Sequence, residues 1–153
     1  MSAEASRGFS QSVDPPDTIR FTLASDPEAI RHSMQALFAL DLLAPLTQES
    51  RGSAEIVLAE VLNNVVEHAY ATFPGSIEVW VTRREEFLFI RTVDEGLPMP
   101  GDDLPGGKMI RTDDLPEGGF GWFLIRNLSQ ELHYQRDDSR NILSFCIGVD
   151  YQV

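Results

Sequence analysis

From Leu58 to Tyr70 the chain reads Leu-Ala-Glu-Val-Leu-Asn-Asn-Val-Val-Glu-His-Ala-Tyr, and this stretch restricts the possible folds more than any other. Leu58, Val61, Leu62, Val65, Val66 and Ala69 recur at helical spacing and cover more than half of the circumference. A helix that apolar has to be packed on most sides. At about 3.6 residues per turn, Glu60, Asn64 and His68 fall on one stripe, each about 40° on from the last. Asn63 and Glu67 widen it. No Lys or Arg occurs between Glu55 and Tyr70, so the salt-bridged outer face of an ordinary surface helix is missing. Two adjacent asparagines are mediocre helix formers and need a reason. The stripe reads as the polar wall of a cavity; the competing reading is a solvated face that lacks cations.

A chain of 153 residues supplies one domain with enough material to bury a core around such a helix. The formal charge of −12 leaves no general footprint for nucleic acid or for an anionic membrane, and suits a basic partner surface. No apolar run is long enough for a membrane span, and Met1 to Pro16 lacks the apolar core of a signal peptide. Cys146 is the single cysteine, which excludes a disulfide within the chain. The expected location is the cytoplasm.

Residues 1–17, rich in Ser, Ala, Pro and acid, read as a flexible arm ahead of a single domain over 18–153. Thr18–Leu23 alternates as a strand. Ser25-Asp26-Pro27-Glu28 starts a helix expected to run into Leu42 or Leu43 before Pro45. Thr47 opens the central helix, expected to end near Ala71. Ser76–Thr82 and Phe87–Val93 alternate as strands around a tight turn at Glu85-Glu86, which makes an antiparallel hairpin. A short apolar helix follows Gly121, and Glu131–Gln135 and Asn141–Gly148 form two more strands across the turn Asp137–Arg140. This order, with about five strands and three helices, predicts an α+β two-layer sandwich: one mostly antiparallel sheet with the helices on one face.

Between Gly96 and Gly121 lie seven of the chain's eleven glycines and four of its prolines. A loop this long inside a small domain is functional or disordered. Asp94, ending an apolar strand, can project a carboxylate into a cavity, and Gly96 allows close approach to the backbone; Asp-Glu-Gly is equally a common turn. Gly119-Phe-Gly121 at a helix start offers free N–H groups and the positive dipole end to an anion, without the lysine of a P-loop. Cys146, between Phe145 and Ile147, reads as a packing residue. No pair of histidines has zinc spacing, and no Gly-x-Ser-x-Gly elbow is present.

Glu60-x-x-x-Asn64, Asp94-x-Gly96 and the glycine-rich segment closing in Gly119-x-Gly121 together resemble the N, G1 and G2 boxes of the GHKL superfamily, with its Bergerat-type ATP-binding fold. The likeness spans Thr18 to Val149 and is greatest to the stand-alone branch, the anti-sigma factor serine kinases of bacterial partner-switching systems. Chain length, His68 after the N box and Phe-Leu-Ile-Arg after the G2 glycines carry that part of it.

The resemblance implies that Asn64 ligates Mg²⁺ and Glu60 is the general base toward a serine hydroxyl or water. Asp94 would receive the adenine amino group, and Gly96 would admit the ring. A lid over about 97–118 would close on ATP or ADP, with Gly119 and Gly121 donating backbone N–H groups to the phosphates. The implied partners are a sigma factor and an anti-sigma factor antagonist with a STAS-type domain, and the implied assembly is a homodimer. Two positions depart from the common pattern. Pro98 stands where a second G1 glycine is frequent, and Glu117 stands where some of these kinases carry an arginine near the γ-phosphate. Lys108 and Arg111 are the lid cations available as substitutes. Glu117 keeps open a non-catalytic protein that uses nucleotide only to choose partners; a domain with no nucleotide site is the remaining reading.

Overall fold

The computed structural model describes residues 12–13, 17–100 and 119–153. Its strands are β1 (Ser12–Val13), β2 (Thr18–Ala24), β3 (Ser76–Arg84), β4 (Phe87–Asp94), β5 (Gln130–Asp137) and β6 (Arg140–Gly148). They form one sheet in the order β1-β2-β3-β4-β6-β5, and each neighbouring pair is antiparallel. Alternation decides which face is covered. Phe21, Val79, Ile90 and Phe145 are buried, whereas Arg20 and Arg91 on the opposite parity are exposed. The helices α1 (Pro27–Phe38), α2 (Gln48–Asn64) and α3 (Gly119–Leu128) pack through Leu37, Val57, Leu58, Val61, Leu62 and Ile125 into the same core. The α+β two-layer sandwich is the architecture expected from the sequence. No helix among the described residues is long and apolar enough to cross a membrane.

Three boundaries differ from the sequence expectation. Ser12–Val13, inside the segment read as an arm, pairs with Ile19 and Arg20 and adds a short sixth strand at the edge. Helix α1 starts as expected, with Asp26 capping the Ala29 amide at 2.9 Å and proline in the first turn, but it stops at Phe38. Its continuation is replaced by successive turns, closed by bonds such as Leu43 N to Leu40 O and Leu46 N to Leu43 O, and side chains from elsewhere add donors to three of its carbonyls. The Arg51 guanidinium donates to Phe38 O at 2.7 Å and to Leu43 O at 2.9 Å, and Arg83 donates to Leu42 O at 2.6 Å.

The third difference concerns the central helix. Thr47 caps the Ser50 amide as the sequence indicates, yet α-helical bonding ends at Asn64 and a π-helical turn, Val65–Ala69, completes the rod. The amide of Tyr70 reaches back to Val65 O at 2.9 Å, one residue further than an α-helix allows. The extra residue rotates the end of the helix toward the end of β4. There the Ala69 carbonyl accepts from the Leu97 amide at 2.7 Å, and the buried Tyr70 hydroxyl accepts from the Glu95 amide at 2.8 Å while donating to Ser76 O at 2.7 Å.

Candidate functional site

Where α2 becomes the π turn, a cleft opens between the helices and the ends of β4 and β6. Val61, Val65, Trp122 and Leu143 give it apolar walls, and Asn64, Thr92, Asp94 and Asn141 put polar groups into it. Asn64 and Asp94, thirty positions apart in sequence, both line this cleft, and both are buried. Asn64 occupies the last α-helical position, and its Nδ2 has no hydrogen-bond partner among the described residues. A buried donor left alone costs roughly 1–3 kcal/mol, so the fold by itself does not satisfy this side chain.

Asp94 ends β4 opposite Asn141, the second residue of β6. Its Oδ1 accepts from the Gly96 amide at 2.8 Å and from Asn141 Nδ2 at 2.8 Å. Burial pushes its carboxyl above the ordinary carboxylate value; the Asn141 and Gly96 hydrogen bonds and the Arg136 charge pull it part of the way back. A slot with apolar walls and a carboxylate acceptor at one end suits a flat heteroaromatic ring carrying an exocyclic N–H.

Gly96 has a role on the protein's own side of the slot. A Cβ there would stand 2.7 Å from the Ala69 Cβ and closer still to the Ala69 carbonyl, so the glycine lets the π turn pack against the strand end. Gly119 is the first residue of α3 and Gly121 the third. A Cβ at Gly121 would collide with the Glu60 carboxylate, so the half-buried Glu60 lies against the first turn of α3. Glu60, Asn64, Asp94, Gly96 and Gly121 thus gather around one end of the helical layer. Lys108 and Arg111, with most of the segment 97–118 expected to form a lid, lie outside the described residues. His68 is exposed and lines the cleft.

Asn141, Tyr134 and Arg136 belong to the same cluster and were not singled out in the sequence. The Tyr134 hydroxyl donates to Asn141 Oδ1 at 2.6 Å, and Arg136 donates to the same oxygen at 3.0 Å and to Gly96 O at 2.8 Å. Their signal was the hairpin itself. A turn at Asp137–Arg140 sets Arg136 opposite Asn141, and an alternation of two puts Tyr134 and Arg136 on one face.

Among the described residues no three His, Cys, Asp or Glu are grouped to hold a metal ion. The donor present at the cleft is an amide, whose oxygen suits a hard cation that draws its other ligands from phosphate and water. The unpartnered end of Asn64 is compatible with that chemistry, since the two ends of an amide exchange places by a simple flip.

Comparison with known proteins gives this geometry a family. A model described as the histidine kinase-like ATPase domain matches residues 23–147, well over half of the chain. The serine-protein kinase RsbW of Bacillus cereus (strain AH187) is 28% identical over 94 residues, covering 58% of this chain and 59% of that protein. The RsbW of Bacillus thuringiensis subsp. konkukian (strain 97-27) matches to the same extent. The matched stretch therefore spans about three fifths of these relatives' length. Among solved structures, the Acinetobacter baumannii histidine kinase AdeS superposes with a TM-score of 0.43 at 16% identity, covering 84% of this chain and 68% of that one. With a family model reaching from the end of β2 into β6 and the cleft residues inside it, the chain belongs to the histidine kinase-like ATPase domain family.

Proposed function

We propose that this protein is an ATP-binding anti-sigma factor that phosphorylates a serine of an anti-sigma factor antagonist in a bacterial partner-switching system. The observation that carries the nucleotide part of this reading is the buried Asn64 side chain, whose Nδ2 has no partner among the described residues, in a cleft that Asp94 also lines. The similarity to the RsbW serine-protein kinases supports the rest.

In this reading the adenine ring lies between the apolar walls and its amino group donates to Asp94. The backbone N–H groups of Gly119 and Gly121 face the phosphates, at the end of α3 where the dipole favours negative charge. Asn64 and the phosphates hold Mg²⁺, which when bound offsets the phosphate charge. Glu60, one turn before Asn64, takes the proton of the attacking serine hydroxyl, a role worth ~10²–10⁴ in rate. A basic partner surface, as a sigma factor could offer, complements a chain of formal charge −12.

The test is phosphoryl transfer from labelled ATP to the antagonist encoded near this protein's gene. Near-stoichiometric serine phosphorylation, lost in Glu60→Ala while Mg-ADP binding persists, is the expected result. Nucleotide binding with no transfer in the unaltered protein would leave a nucleotide-dependent binding protein without kinase activity.

A further inference from the structure

All four hydrogen-bonding positions of the Asn141 amide are engaged. Its Nδ2 donates to Asp94 Oδ1 at 2.8 Å and to Leu97 O at 2.9 Å, while its Oδ1 accepts from Tyr134 and Arg136 at 2.6 and 3.0 Å. This fixes the amide's orientation. Turned over, its oxygen would face two acceptors and its NH₂ would face a guanidinium. Tyr134 is committed as well, since its hydroxyl accepts from the Met99 amide at 3.0 Å and so sends its proton to Asn141. Arg136 spans Asn141 and the Gly96 carbonyl.

The network has two ends. One is Asp94 Oδ1, saturated by Asn141 and the Gly96 amide; among the described residues no donor reaches Oδ2. The other is the backbone of Gly96, Leu97 and Met99, just before the segment 101–118. The side chains that fix the carboxylate are therefore the ones that anchor the chain entering the expected lid.

We infer that Asn141 is a positioning residue for base recognition, holding Asp94 so that Oδ2 alone faces the cleft as an acceptor and tying it to the Gly96–Met99 backbone. The inference rests on the nucleotide reading above and adds selectivity among purines. A 6-amino purine presents a donor to Oδ2. A 6-oxo purine presents an acceptor, which a carboxylate held in one orientation by two donors on Oδ1 meets with an acceptor of its own. A site built around one hydrogen bond discriminates strongly against an analogue that cannot make it. Without Asn141 the carboxylate loses a donor, is free to rotate and is protonated more easily, so it can accommodate the 6-oxo group.

The experiment is calorimetry with Mg-ADP and Mg-IDP, which differ in the 6-substituent of the base, on the full chain and on Asn141→Ser and Tyr134→Phe. Preference for ADP over IDP is expected to fall about tenfold in Asn141→Ser and about threefold in Tyr134→Phe, the size of one or part of one charge-assisted hydrogen bond. A merely structural role would weaken both ligands alike, and an unchanged ratio overturns the inference. Tyr134→Phe removes only a hydroxyl and decides the matter if Asn141→Ser does not fold. Equal binding of ADP and IDP by the unaltered protein also overturns it. Binding of neither nucleotide defeats the nucleotide reading itself and this inference with it, whereas ADP binding with unchanged ratios defeats this inference alone.

Discussion

Gly96 and Ala69 meet backbone to backbone: the Leu97 amide donates to Ala69 O at 2.7 Å, and a side chain on Gly96 would enter the Ala69 carbonyl. Gly121 is also crowded, but by the far end of the Glu60 side chain. The two glycines therefore call for different outcomes. Gly96→Ala forces main chain apart at the join of the π turn and β4, and should cost about 1–3 kcal/mol, as overpacked positions do. Gly121→Ala needs only a swing of a flexible carboxylate, so stability should stay within about 1 kcal/mol of the unaltered protein. That swing moves Glu60 from its place, and antagonist phosphorylation should fall in Gly121→Ala despite intact folding. Urea denaturation beside the transfer assay checks both; a severely unstable Gly121→Ala would contradict the geometry.

Asn64 makes the opposite kind of prediction, of a residue that the fold does not need. Its Nδ2 is buried and unpartnered, so Asn64→Ala removes a desolvated donor while opening only a small void. The two effects nearly offset, and the unfolding free energy should change by less than ~1 kcal/mol. Mg-ADP affinity should drop by about tenfold or more, with the loss confined to measurements containing Mg²⁺. Calorimetry with and without the cation is the check. Equal loss in its absence would remove Asn64 from any metal role and leave it a phosphate donor.

Asp94 sets function against stability. Burial raises its carboxyl pKa above the ordinary value of 3.8, so ionising it costs more in the folded protein than in the unfolded chain. A raised folded-state pKa contributes stability that is fully present below the unfolded value and is lost as pH rises through the folded one. Asp94→Asn, which keeps an acceptor for Gly96 and Asn141, should therefore melt higher than the unaltered protein at pH 7. The gap should close as pH falls through the raised pKa toward 3.8. Adenine nucleotide binding should be lost in the variant, and in the unaltered protein it should weaken over that same window as Oδ2 takes a proton. Melting curves across pH, with and without Mg-ADP, test both signs.

The elements legible in the sequence were those fixed by local periodicity and caps. The β3–β4 and β5–β6 hairpins, the Asp26 and Thr47 caps and the cation-free stripe of α2 needed no tertiary information. Glu60, Asn64, Asp94, Gly96 and Gly121 came from motif spacing, and they gather because the end of β4 meets the π turn at Ala69 while the start of α3 lies against Glu60 of α2. What escaped depended on partners distant in the chain. Asn141, Tyr134 and Arg136 are ordinary strand residues until Asp94 and the Gly96–Met99 backbone are laid beside them. The π turn has no local signature, because Val65–Ala69 continues an α-helical pattern, and its close fit of Ala69 against Gly96 is a contact distant in the chain.

The early end of α1 has the same origin and yields a prediction independent of nucleotide. Ile30, Met34, Leu37 and Phe38 are spaced as if the helix continued into Leu42, but Arg51 from the following helix takes the carbonyls of Phe38 and Leu43 and lies 5.8 Å from the centre of the Phe38 ring. One guanidinium thus supplies donors to two carbonyls that the helix would otherwise bond internally, and joins the α1–α2 connection to the core. Arg51→Met keeps the aliphatic stem and removes both donors. It should cost about 2–3 kcal/mol, the upper range for charged hydrogen bonds in a partly buried setting. Because Arg51 lies almost four helical turns before Asn64, at about 3.6 residues per turn, the Mg-ADP affinity of the folded variant should equal that of the unaltered protein. Denaturation by urea measures the first quantity and calorimetry the second. A variant as stable as the original would mean that water satisfies Phe38 O, that the Leu46 amide suffices for Leu43 O, and that α1 ends at Phe38 for a reason other than Arg51.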